Sequence, residues 1–454
     1  MAKYYVMTTT GTFFPALDLV HTRAQFPSLA QTVNGHPAVF FDGPGGTQVP
    51  QSVIEAISEY LRNDNANTGG AYVTSRNTDA MILQARAAMA DFLNCAADEV
   101  VFGPNMTSLT YMISRAIGRE FGPGDEILVT RLDHDANVSP WLALQEKGVT
   151  IRWAEIHEED CTLDVEDLES KLSARTKLVA IGYASNAVGT INPVKEIVRL
   201  AHSGGALAYV DAVHYAPHGL IDVKDFDCDF LVCSTYKFFG PHMGVLFGKR
   251  EHLARLRPYK VRPLTDALPF RWEWGTLNHE CIVGITACVD YIASLGRSLE
   301  AKASGSTHSS LSRNYDQEKA STALQIQGGQ GSRRLAIVNA FEVIHRHEHE
   351  LMERLMAGLS HIPNLRIYGI TDPSCFQWRC PTLAIRAAGQ TPLQLATRLG
   401  ERGFFTWDGN YYALNLTERL NVESSGGFLR IGLVHYNTPE EVDRLIDALS
   451  AICG

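Results

Sequence analysis

The residues most able to do chemistry in this chain are a lysine and an aspartate, each placed just after an apolar run. Lys237 follows the run Phe230–Cys233, and Asp211 follows the run Ala206–Val210. A lysine in such a position can form an imine with a carbonyl group. A carboxylate on a neighbouring strand can keep a pyridine nitrogen protonated, so that the ring accepts electrons. Together the two side chains indicate pyridoxal 5'-phosphate (PLP) chemistry.

Further polar residues follow other apolar runs and could hold such a cofactor. His134 could lay its imidazole on a flat ring, and Asn186 and His214 could contact a phenolic oxygen. Residues 105–107 precede a helix-like stretch, whose backbone N–H groups and Thr107 hydroxyl suit a phosphate. Singly, each residue is more typical of a surface or capping position. Their joint occurrence supports a cofactor site.

The composition limits the classes of protein to which this chain can belong. The chain has 454 residues, of which 45% are hydrophobic and 20% charged, which is ordinary for a globular protein with a large core and two domains. A net charge of −10 without a dense basic run argues against a nucleic-acid partner. No apolar run is long enough to span a bilayer, and the first twenty residues do not resemble a signal peptide.

The nine cysteines are odd in number and show no CxxC spacing, which predicts reduced thiols in a cytoplasmic protein. Cys228 and Cys233 are five residues apart, as are Cys375 and Cys380. Because we find no histidine cluster at ligand spacing beside them, both pairs are predicted to be core or near-core thiols, and no metal site is expected.

The order of apolar runs and helical periods predicts an α/β fold. From about Phe40 to Gly248, helical stretches alternate with short runs, several of them apolar throughout, which is typical of a doubly wound sheet covered on both faces. The large α/β domain is predicted to span residues 36–296. In such sheets ligands bind at the carboxyl ends of the strands. The predicted strands are Glu99–Phe102, Glu126–Thr130, Thr150–Ile156, Leu178–Tyr183, Ala206–Val210, Phe230–Cys233 and Gly244–Phe247.

Three further segments complete the predicted organisation. Residues 1–35 form an N-terminal segment that packs on the small domain, and residues 297–332, rich in Ser, Gly, Gln and Lys, form a flexible insertion or linker. Residues 333–454 form a smaller α+β domain with predicted strands at Thr382–Ile385, Gly403–Thr406 and Phe428–Leu433. The Gly43–Gly46 run lacks the spacing of a nucleotide loop and is interpreted as a turn.

Over residues 35–450, apart from the insertion, these motifs resemble the class V aminotransferase family of fold type I PLP enzymes. Within it the likeness is greatest to the group II cysteine desulfurases and their relatives. The resemblance implies a doubly wound mixed sheet in the large domain and a homodimer with shared active sites. It also implies roles for individual residues: Lys237 as the Schiff-base lysine, Asp211 as the partner of the pyridinium nitrogen, His134 as the ring-stacking residue, Asn186 and His214 at the phenolic oxygen, and Thr107 and Ser234 at the phosphate. Met106 and Tyr236 are implied as further cofactor contacts, with Tyr236 standing where relatives have His, and Gly275 and Thr276 as residues that reach the phosphate of the neighbouring subunit.

The resemblance also implies a substrate site. Arg430 matches the arginine that binds the substrate α-carboxylate, and a planar guanidinium suits a bidentate pair with a carboxylate. Asn410 and Tyr412 are predicted to contact the substrate from the loop Trp407–Ala413. Desulfurases carry a sulfur-accepting Cys in this loop, and here Tyr412 takes its place. A phenol forms no persulfide, so persulfide chemistry is disfavoured, with Cys380 the nearest alternative thiol.

The predicted activity is a PLP-dependent β-elimination that releases a thiol from cysteine or an S-substituted cysteine. Lys237, freed from its imine by an amino-acid substrate, would take the Cα proton while Arg430 fixes the carboxylate. The alternatives are an aminotransferase, an amino-acid racemase or epimerase, a persulfide-forming desulfurase that uses another Cys, and a PLP-binding scaffold without turnover.

Overall fold

The computed structural model describes residues 16–303 and 322–454. Within these residues seven strands form one large sheet, in the spatial order 100–103, 244–248, 230–234, 207–211, 176–182, 126–130 and 150–154. Gly244–Gly248 is antiparallel to both of its neighbours, and the other pairings are parallel. The predicted mixed α/β sheet is therefore confirmed. Its strands are Val100–Gly103, Glu126–Thr130, Thr150–Ala154, Thr176–Gly182, Leu207–Asp211, Phe230–Ser234 and Gly244–Gly248.

Both faces of this sheet are buried, because alternate residues of each strand belong to different hydrophobic clusters. Leu231 and Val210 point to one cluster, while Val232 and Tyr209 point to the other. Side chains of a strand alternate between faces, so a strand that is covered on both sides must be apolar throughout. This explains why the strands read as continuous apolar runs.

Helices cover both faces of the large sheet and surround the smaller one. In the described part of the chain no helix is long and apolar enough to cross a membrane. The α-helices are Leu19–Ala24, Gln51–Asn63, Val73–Leu93, Met106–Ile117, Ser139–Leu142, Val165–Ser170, Val194–Ser203, Val223–Phe226, Arg250–Arg255, His279–Ala303, Thr322–Leu359, Pro392–Gly400, Leu414–Arg419 and Pro439–Cys453.

The C-terminal part contains a second, antiparallel sheet. Its spatial order is Leu365–Tyr368, Thr382–Ala387, Phe428–Gly432 and Trp407–Gly409. The first and last of these were not predicted as strands. The run predicted at 403–406 is the two-residue strand Phe404–Phe405, which pairs with Val39–Phe40 outside this sheet. A separate core of aliphatic side chains lies between the sheet and its helices.

The insertion predicted at 297–332 differs from the structure at both ends. Residues up to Ala303 continue the helix that begins at His279, and Thr322 already starts the helix that runs to Leu359. The two helices cross closely at Gly296, where an added Cβ would lie 1.9 Å from the carbonyl oxygen of Ala336. Both helices thus continue into polar sequence, and the boundary at 333 falls inside a helix. Residues 304–321 lie outside the described residues.

The described part of the N-terminal segment contacts both halves of the molecule. Arg23 forms an ion pair with Glu441 at 2.8 Å, on the last helix. The ring of Phe26 packs edge-on against Tyr291 of the helix His279–Ala303 and against Tyr436. The segment therefore joins the small domain to the large one, whereas the prediction had it pack on the small domain. Residues 1–15 of the predicted segment lie outside the described residues.

Candidate active site

A cleft with a cavity volume of about 210 Å³ opens at the carboxyl edge of the large sheet, where the small sheet approaches it. Asp211 and Gly182 end two of its central strands, and Arg430 reaches it from the small sheet. The side chains that line the cleft come from at least eight separate segments of the chain. They are Pro44, Gly45, Met106, Thr107, Asp133, His134, Gly182, Ala184, Asn186, Asp211, Val213, His214, Tyr236, Lys237, Trp407, Tyr411, Tyr412 and Arg430.

Lys237 lies on the turn Thr235–Lys237, directly after the strand Phe230–Ser234. Its Nζ donates to the carbonyl oxygen of Pro44. Burial and, to a smaller degree, the nearby charge of Arg430 lower the pKa of the Lys237 amine to about 7, against the opposing effect of Asp211. A large fraction of this amine is therefore neutral near neutral pH, which is the form that attacks a carbonyl.

Asp211 faces Lys237 from the next strand and is almost fully buried. Its Oδ1 accepts a hydrogen bond from the backbone N–H of Val213 at 2.9 Å. Burial raises the pKa of Asp211 to about 6, although that hydrogen bond and the charge of Lys237 act in the opposite direction. A buried carboxylate of this kind favours a cationic partner, which a protonated pyridine nitrogen would supply.

His134 lies above the same cleft as a neutral ring. Its Nδ1 accepts a hydrogen bond from the backbone N–H of Ala136 at 3.0 Å, which fixes the orientation of the imidazole. Burial, aided by the charges of Lys237 and Arg430, lowers the pKa of His134 to about 4. A neutral, fixed, flat ring suits the stacking role that the sequence predicted.

The predicted phosphate end lies at the start of the helix Met106–Ile117. The N–H of Met106 donates to Ser234 Oγ at 3.1 Å, and that of Ser108 donates to the capping Asn105 at 2.8 Å. Met106, Thr107 and Tyr236 line the cleft, whereas Ser234 lies behind them and holds the helix start. Of the first three N–H groups of this helix, only that of Thr107 has no capping partner.

Asn186 and His214 both line the cleft, but the side-chain amide nitrogen of Asn186 already donates a hydrogen bond within the protein. Asn186 Nδ2 donates to the carbonyl oxygen of Tyr411 at 2.9 Å, while its Oδ1 is buried without a partner. Burial holds the pKa of His214 well below its usual range, and its Nε2 is also buried without a partner. Both residues therefore retain unused hydrogen-bonding capacity beside the predicted phenolic oxygen.

Arg430 is a buried cation with open donors. It lies in the strand Phe428–Gly432 with 4% of its surface exposed. Its Nη1 donates to the carbonyl oxygen of Asn186 at 3.0 Å, and its guanidinium lies 4.2 Å from the ring centroid of Tyr411. Its Nε has no partner, and Arg430 forms no ion pair with a carboxylate among the described residues. Burying such a charge is costly unless an anion joins it.

The loop that follows Trp407–Gly409 is held against the large domain. Tyr411 and Tyr412 both adopt the left-handed backbone conformation, with φ of 56° and 61°. The Tyr412 carbonyl oxygen accepts from the N–H of Asp135 at 2.7 Å, and its ring is 70% exposed. Two successive non-glycine residues in this conformation are unusual. Two hydrogen bonds from the large domain hold this loop in place: one from the Asp135 N–H to the Tyr412 carbonyl oxygen and one from Asn186 Nδ2 to the Tyr411 carbonyl oxygen.

Two groups of predicted site residues lie elsewhere. Asn410 does not line the cleft: its amide group bonds Glu423 at 2.9 Å and the N–H of Tyr412 at 3.0 Å, so it shapes the loop instead of contacting a substrate. Gly275 and Thr276 line a different cleft together with Trp274. Their assignment to the phosphate of a neighbouring subunit therefore stays a prediction.

Sequence reasoning missed several parts of the site. Pro44 and Gly45, which belong to the predicted turn, line the cleft and approach Lys237 and Trp407. Asp133 is fully buried beside Asp211, and burial raises its pKa to about 7. Neither the Pro44–Gly45 turn nor Asp133 could be assigned to the site from local sequence pattern. Their contacts with Lys237, Trp407 and Asp211 join segments that are distant in the sequence.

The cysteine predictions need one correction. Cys228, Cys233 and Cys380 are buried and Cys375 is half-buried, as expected for core or near-core thiols. The structure nevertheless brings Cys380 next to His214 and His218, so the statement that no histidines at ligand spacing accompany these cysteines is wrong. The two histidines are four residues apart in the sequence, but about 160 residues from Cys380. No cysteine lines the cleft itself.

Comparison with known proteins agrees with this fold. The sequence model of the aminotransferase class-V family matches residues 39–323 and 334–445. A cysteine desulfurase of Pectobacterium carotovorum is 31% identical over 448 residues, covering 95% of this chain and 97% of the relative. The aminotransferase-like protein FGM3 of Gibberella zeae is also 31% identical, covering 96% of this chain and 99% of the relative.

Solved structures share the fold. The apo cysteine desulfurase of Thermococcus onnurineus superposes with a TM-score of 0.79 at 24% identity, covering 98% of this chain and 99% of that one. The Escherichia coli cysteine desulfurase CsdA superposes with a TM-score of 0.77 at 24% identity, covering 96% and 98%.

The large mixed sheet and the Lys–Asp pair at its carboxyl edge define a fold type I enzyme that depends on PLP. The chain belongs to the class V aminotransferase family. The described residues fit the cofactor, because a buried carboxylate, a lysine with a lowered pKa and a helix start with a free N–H all face one cleft. Bound there, PLP would supply an electron sink for reactions at the Cα of an amino acid.

Proposed function

We propose that this protein is a carbon–sulfur lyase that acts on cysteine or an S-substituted cysteine. The observation that carries the proposal is that Lys237, Asp211 and Arg430 face one cleft that no cysteine lines. The relatives named cysteine desulfurase support a sulfur-containing amino acid as the substrate. A substrate thiol can leave without a protein thiol, whereas persulfide formation needs one.

Each of the three residues has one task in this reaction. Arg430 binds the α-carboxylate and so fixes which bond at Cα faces Lys237. Lys237, with its lowered pKa, takes the Cα proton as a general base. Asp211 would favour a protonated ring nitrogen through its negative charge, and the neutral ring of His134 would stack on the bound cofactor.

The balance of the reaction requires only water as co-reactant. The Cα–H and Cβ–S bonds break, the sulfur leaves as a thiol with one proton, and hydrolysis of the remaining three-carbon fragment gives pyruvate and ammonia. Tyr412 closes the cleft next to His134, where the leaving group would depart.

The proposal extends to partners and location. Gly275 and Thr276 line a second cleft apart from Lys237, which supports a homodimer in which they reach the phosphate of the partner subunit. The nine free cysteines support a cytoplasmic location, where thiols stay reduced.

A product assay tests the function. Purified protein with PLP is incubated with a panel of amino acids, and pyruvate, sulfide, keto acids and D-isomers are measured. We expect pyruvate and a free thiol in equal amounts, with no mass gain of one sulfur on any protein cysteine. A persulfide on Cys380 or another cysteine would instead establish a desulfurase. Keto acid that forms only with an added acceptor would establish an aminotransferase, and D-isomers a racemase.

Transamination is the second candidate, and one observation favours it. The relative FGM3, as similar in sequence as the desulfurases, is named aminotransferase-like. In that reaction Lys237 would move the Cα proton as a general acid–base, and the Cβ–S bond of the substrate would stay intact. The product assay separates the two, because only transamination consumes the amino acceptor.

A further inference from the structure

Behind the active-site cleft lies a buried cluster formed by His214, His218, Cys380 and Glu348. These residues are between 2% and 4% exposed. One ligand atom each from the two histidines and the cysteine lie within 4.8 Å of one another. Cys380 and Glu348 come from the small domain and from the helix that leads into it, so the cluster joins the two halves of the molecule.

The backbone fixes the three side chains in this arrangement. His214 and His218 lie one turn apart in a helix-like turn, in which the N–H of Ala216 bonds the carbonyl oxygen of Ala212 at 2.9 Å. Their rings are 5.3 Å apart. The N–H of Cys380 donates to Gly189 at 2.8 Å and its carbonyl oxygen accepts from Thr382 at 2.7 Å. Two histidines at i and i+4 are a spacing that binds zinc, and a cysteine thiolate is a further zinc ligand.

The hydrogen bonding of the cluster is incomplete. His218 Nδ1 bonds a carboxylate oxygen of Glu348 at 2.8 Å, while its Nε2, the Nε2 of His214 and the Oε1 of Glu348 are buried without partners. A buried polar atom without a partner is unfavourable, so this arrangement calls for a further group that these atoms can bind.

A divalent cation can bind the two unpartnered histidine nitrogens. We propose that His214 Nε2, His218 Nε2 and the Cys380 thiolate bind one Zn²⁺, with water as the fourth ligand. The two negative charges of Cys380 and Glu348 balance the ion, and the thiol proton is released to solvent on binding. Glu348 then takes the role of the carboxylate that orients a zinc-bound histidine.

The distances permit this. Zinc–sulfur and zinc–nitrogen bonds of about 2.3 and 2.0–2.1 Å place tetrahedral ligands roughly 3.3–3.8 Å apart. Ligand atoms within 4.8 Å reach that spacing through small side-chain rotations. The ion can enter through the cleft, because the ring of His214 also lines it. Zinc on Nε2 keeps the proton of His214 on Nδ1, as a donor for the predicted phenolic oxygen of the cofactor.

The test is the zinc content of the PLP-loaded enzyme. The protein is equilibrated with zinc chloride, passed through a desalting column, and assayed for metal by mass spectrometry and for PLP by absorbance. Wild type should hold about one zinc per subunit, since the cluster offers one complete ligand set. C380S and H218Q should lose it, whereas C375S, a change at a half-buried cysteine outside the cluster, should keep it. E348Q should weaken zinc affinity about 10- to 100-fold.

Two further measurements test whether the Cys380 thiolate binds the metal and whether the C380S variant is folded. Cobalt added in place of zinc should give a thiolate-to-cobalt absorption band in wild type that is missing in C380S. Retained PLP absorbance and circular dichroism in C380S show that the variant is folded. Wild type without bound zinc after equilibration, or a C380S variant with an unchanged zinc content, would overturn the proposal. Neither outcome bears on the lyase reaction, which the product assay tests separately.

Discussion

The ring of Tyr412 stacks on the ring of His134, with centroids 5.4 Å apart and planes inclined by 29°. The two residues belong to different domains, and the hydrogen bond from the Asp135 N–H to the Tyr412 carbonyl oxygen holds them together. Tyr412 therefore covers the residue that is predicted to stack on the cofactor. A loop that carried a cysteine at this point would instead present a thiol to the same space.

Tyr412 should act through its ring and not through its hydroxyl group, since the residue is largely exposed and its phenolic oxygen forms no hydrogen bond among the described residues. We expect Tyr412→Phe to keep kcat/KM close to wild type. Tyr412→Ala should lower it by an amount that corresponds to the loss of one stacked pair, about 0.5–1.5 kcal/mol. Steady-state kinetics with cysteine measures both variants. A large loss in the Phe variant would assign the hydroxyl group a role as proton donor to the leaving sulfur.

The pKa of Lys237 should be visible in the capture of the cofactor. Because burial and Arg430 lower this pKa to about 7, the reactive neutral amine increases as pH rises through 7. The rate at which cofactor-free protein binds PLP covalently should therefore rise with pH and reach half its maximum near pH 7. For Nα-acetyl-lysine, whose side-chain amine is free, the rate should reach half its maximum near the ordinary lysine pKa of about 10.4. A midpoint near 10 in the protein would contradict the buried environment.

Borohydride reduction of the loaded protein adds a direct check on the same residue. Peptide mapping should find the pyridoxyl group on Lys237 alone, and Lys237→Ala should remain folded without turnover. Label on a different lysine would remove the basis for the whole site.

Asp211→Asn should reduce kcat by at least about 100-fold, the range for loss of a positioned acid–base partner. The amide is nearly the same size, so the fold and the 2.9 Å contact with Val213 can persist, but a neutral group no longer favours a protonated ring nitrogen. Kinetics and the absorption spectrum of the bound cofactor measure the effect. Asp133→Asn is the matched control in the same buried region, and it should cost far less activity.

The sequence predicted the large domain and most of its site because the required pattern is local. Each strand reads as an apolar run, and Asp211 and Lys237 come directly after two of them. The parts that could not be predicted depend on contacts between distant segments. Pro44 reaches Lys237 across more than 190 residues, and Cys380 meets His214 only after the small sheet has formed. Residues 322–332 have polar, glycine-rich composition, yet they continue a helix whose later turns are packed in both cores.

Arg430 should contribute mainly to the binding of α-amino acids. Arg430→Ala should weaken kcat/KM for cysteine by roughly 2–5 kcal/mol, the cost of removing one member of a desolvated charge pair. Arg430→Lys keeps the charge but loses the bidentate geometry, so it should recover only part of that loss. The same variants assayed for binding of 2-aminoethanethiol, which has no carboxylate, should show little change. Equal losses for both compounds would give Arg430 a structural role instead.

The shared active site of the proposed homodimer can be tested with hybrid dimers. Gly275 is open to solvent in the isolated chain, since an added Cβ would have no neighbour within 4 Å. Gly275→Asp should therefore fold normally while placing a negative charge against the phosphate of the partner subunit. Sedimentation should show a dimer for this variant and for Lys237→Ala, and each homodimer should be inactive or nearly so.

Co-expression of these two variants distinguishes a shared site from a self-contained one. If residues 275 and 276 reach the partner's phosphate, one of the two sites in a hybrid dimer combines an intact Lys237 with an intact Gly275. Purified hybrids should then recover about half of the wild-type kcat, because one site in two is complete. If each subunit binds its own phosphate with these residues, both sites in the hybrid carry a defect and activity stays at the level of the parent variants. A monomer that binds PLP tightly would contradict the arrangement altogether.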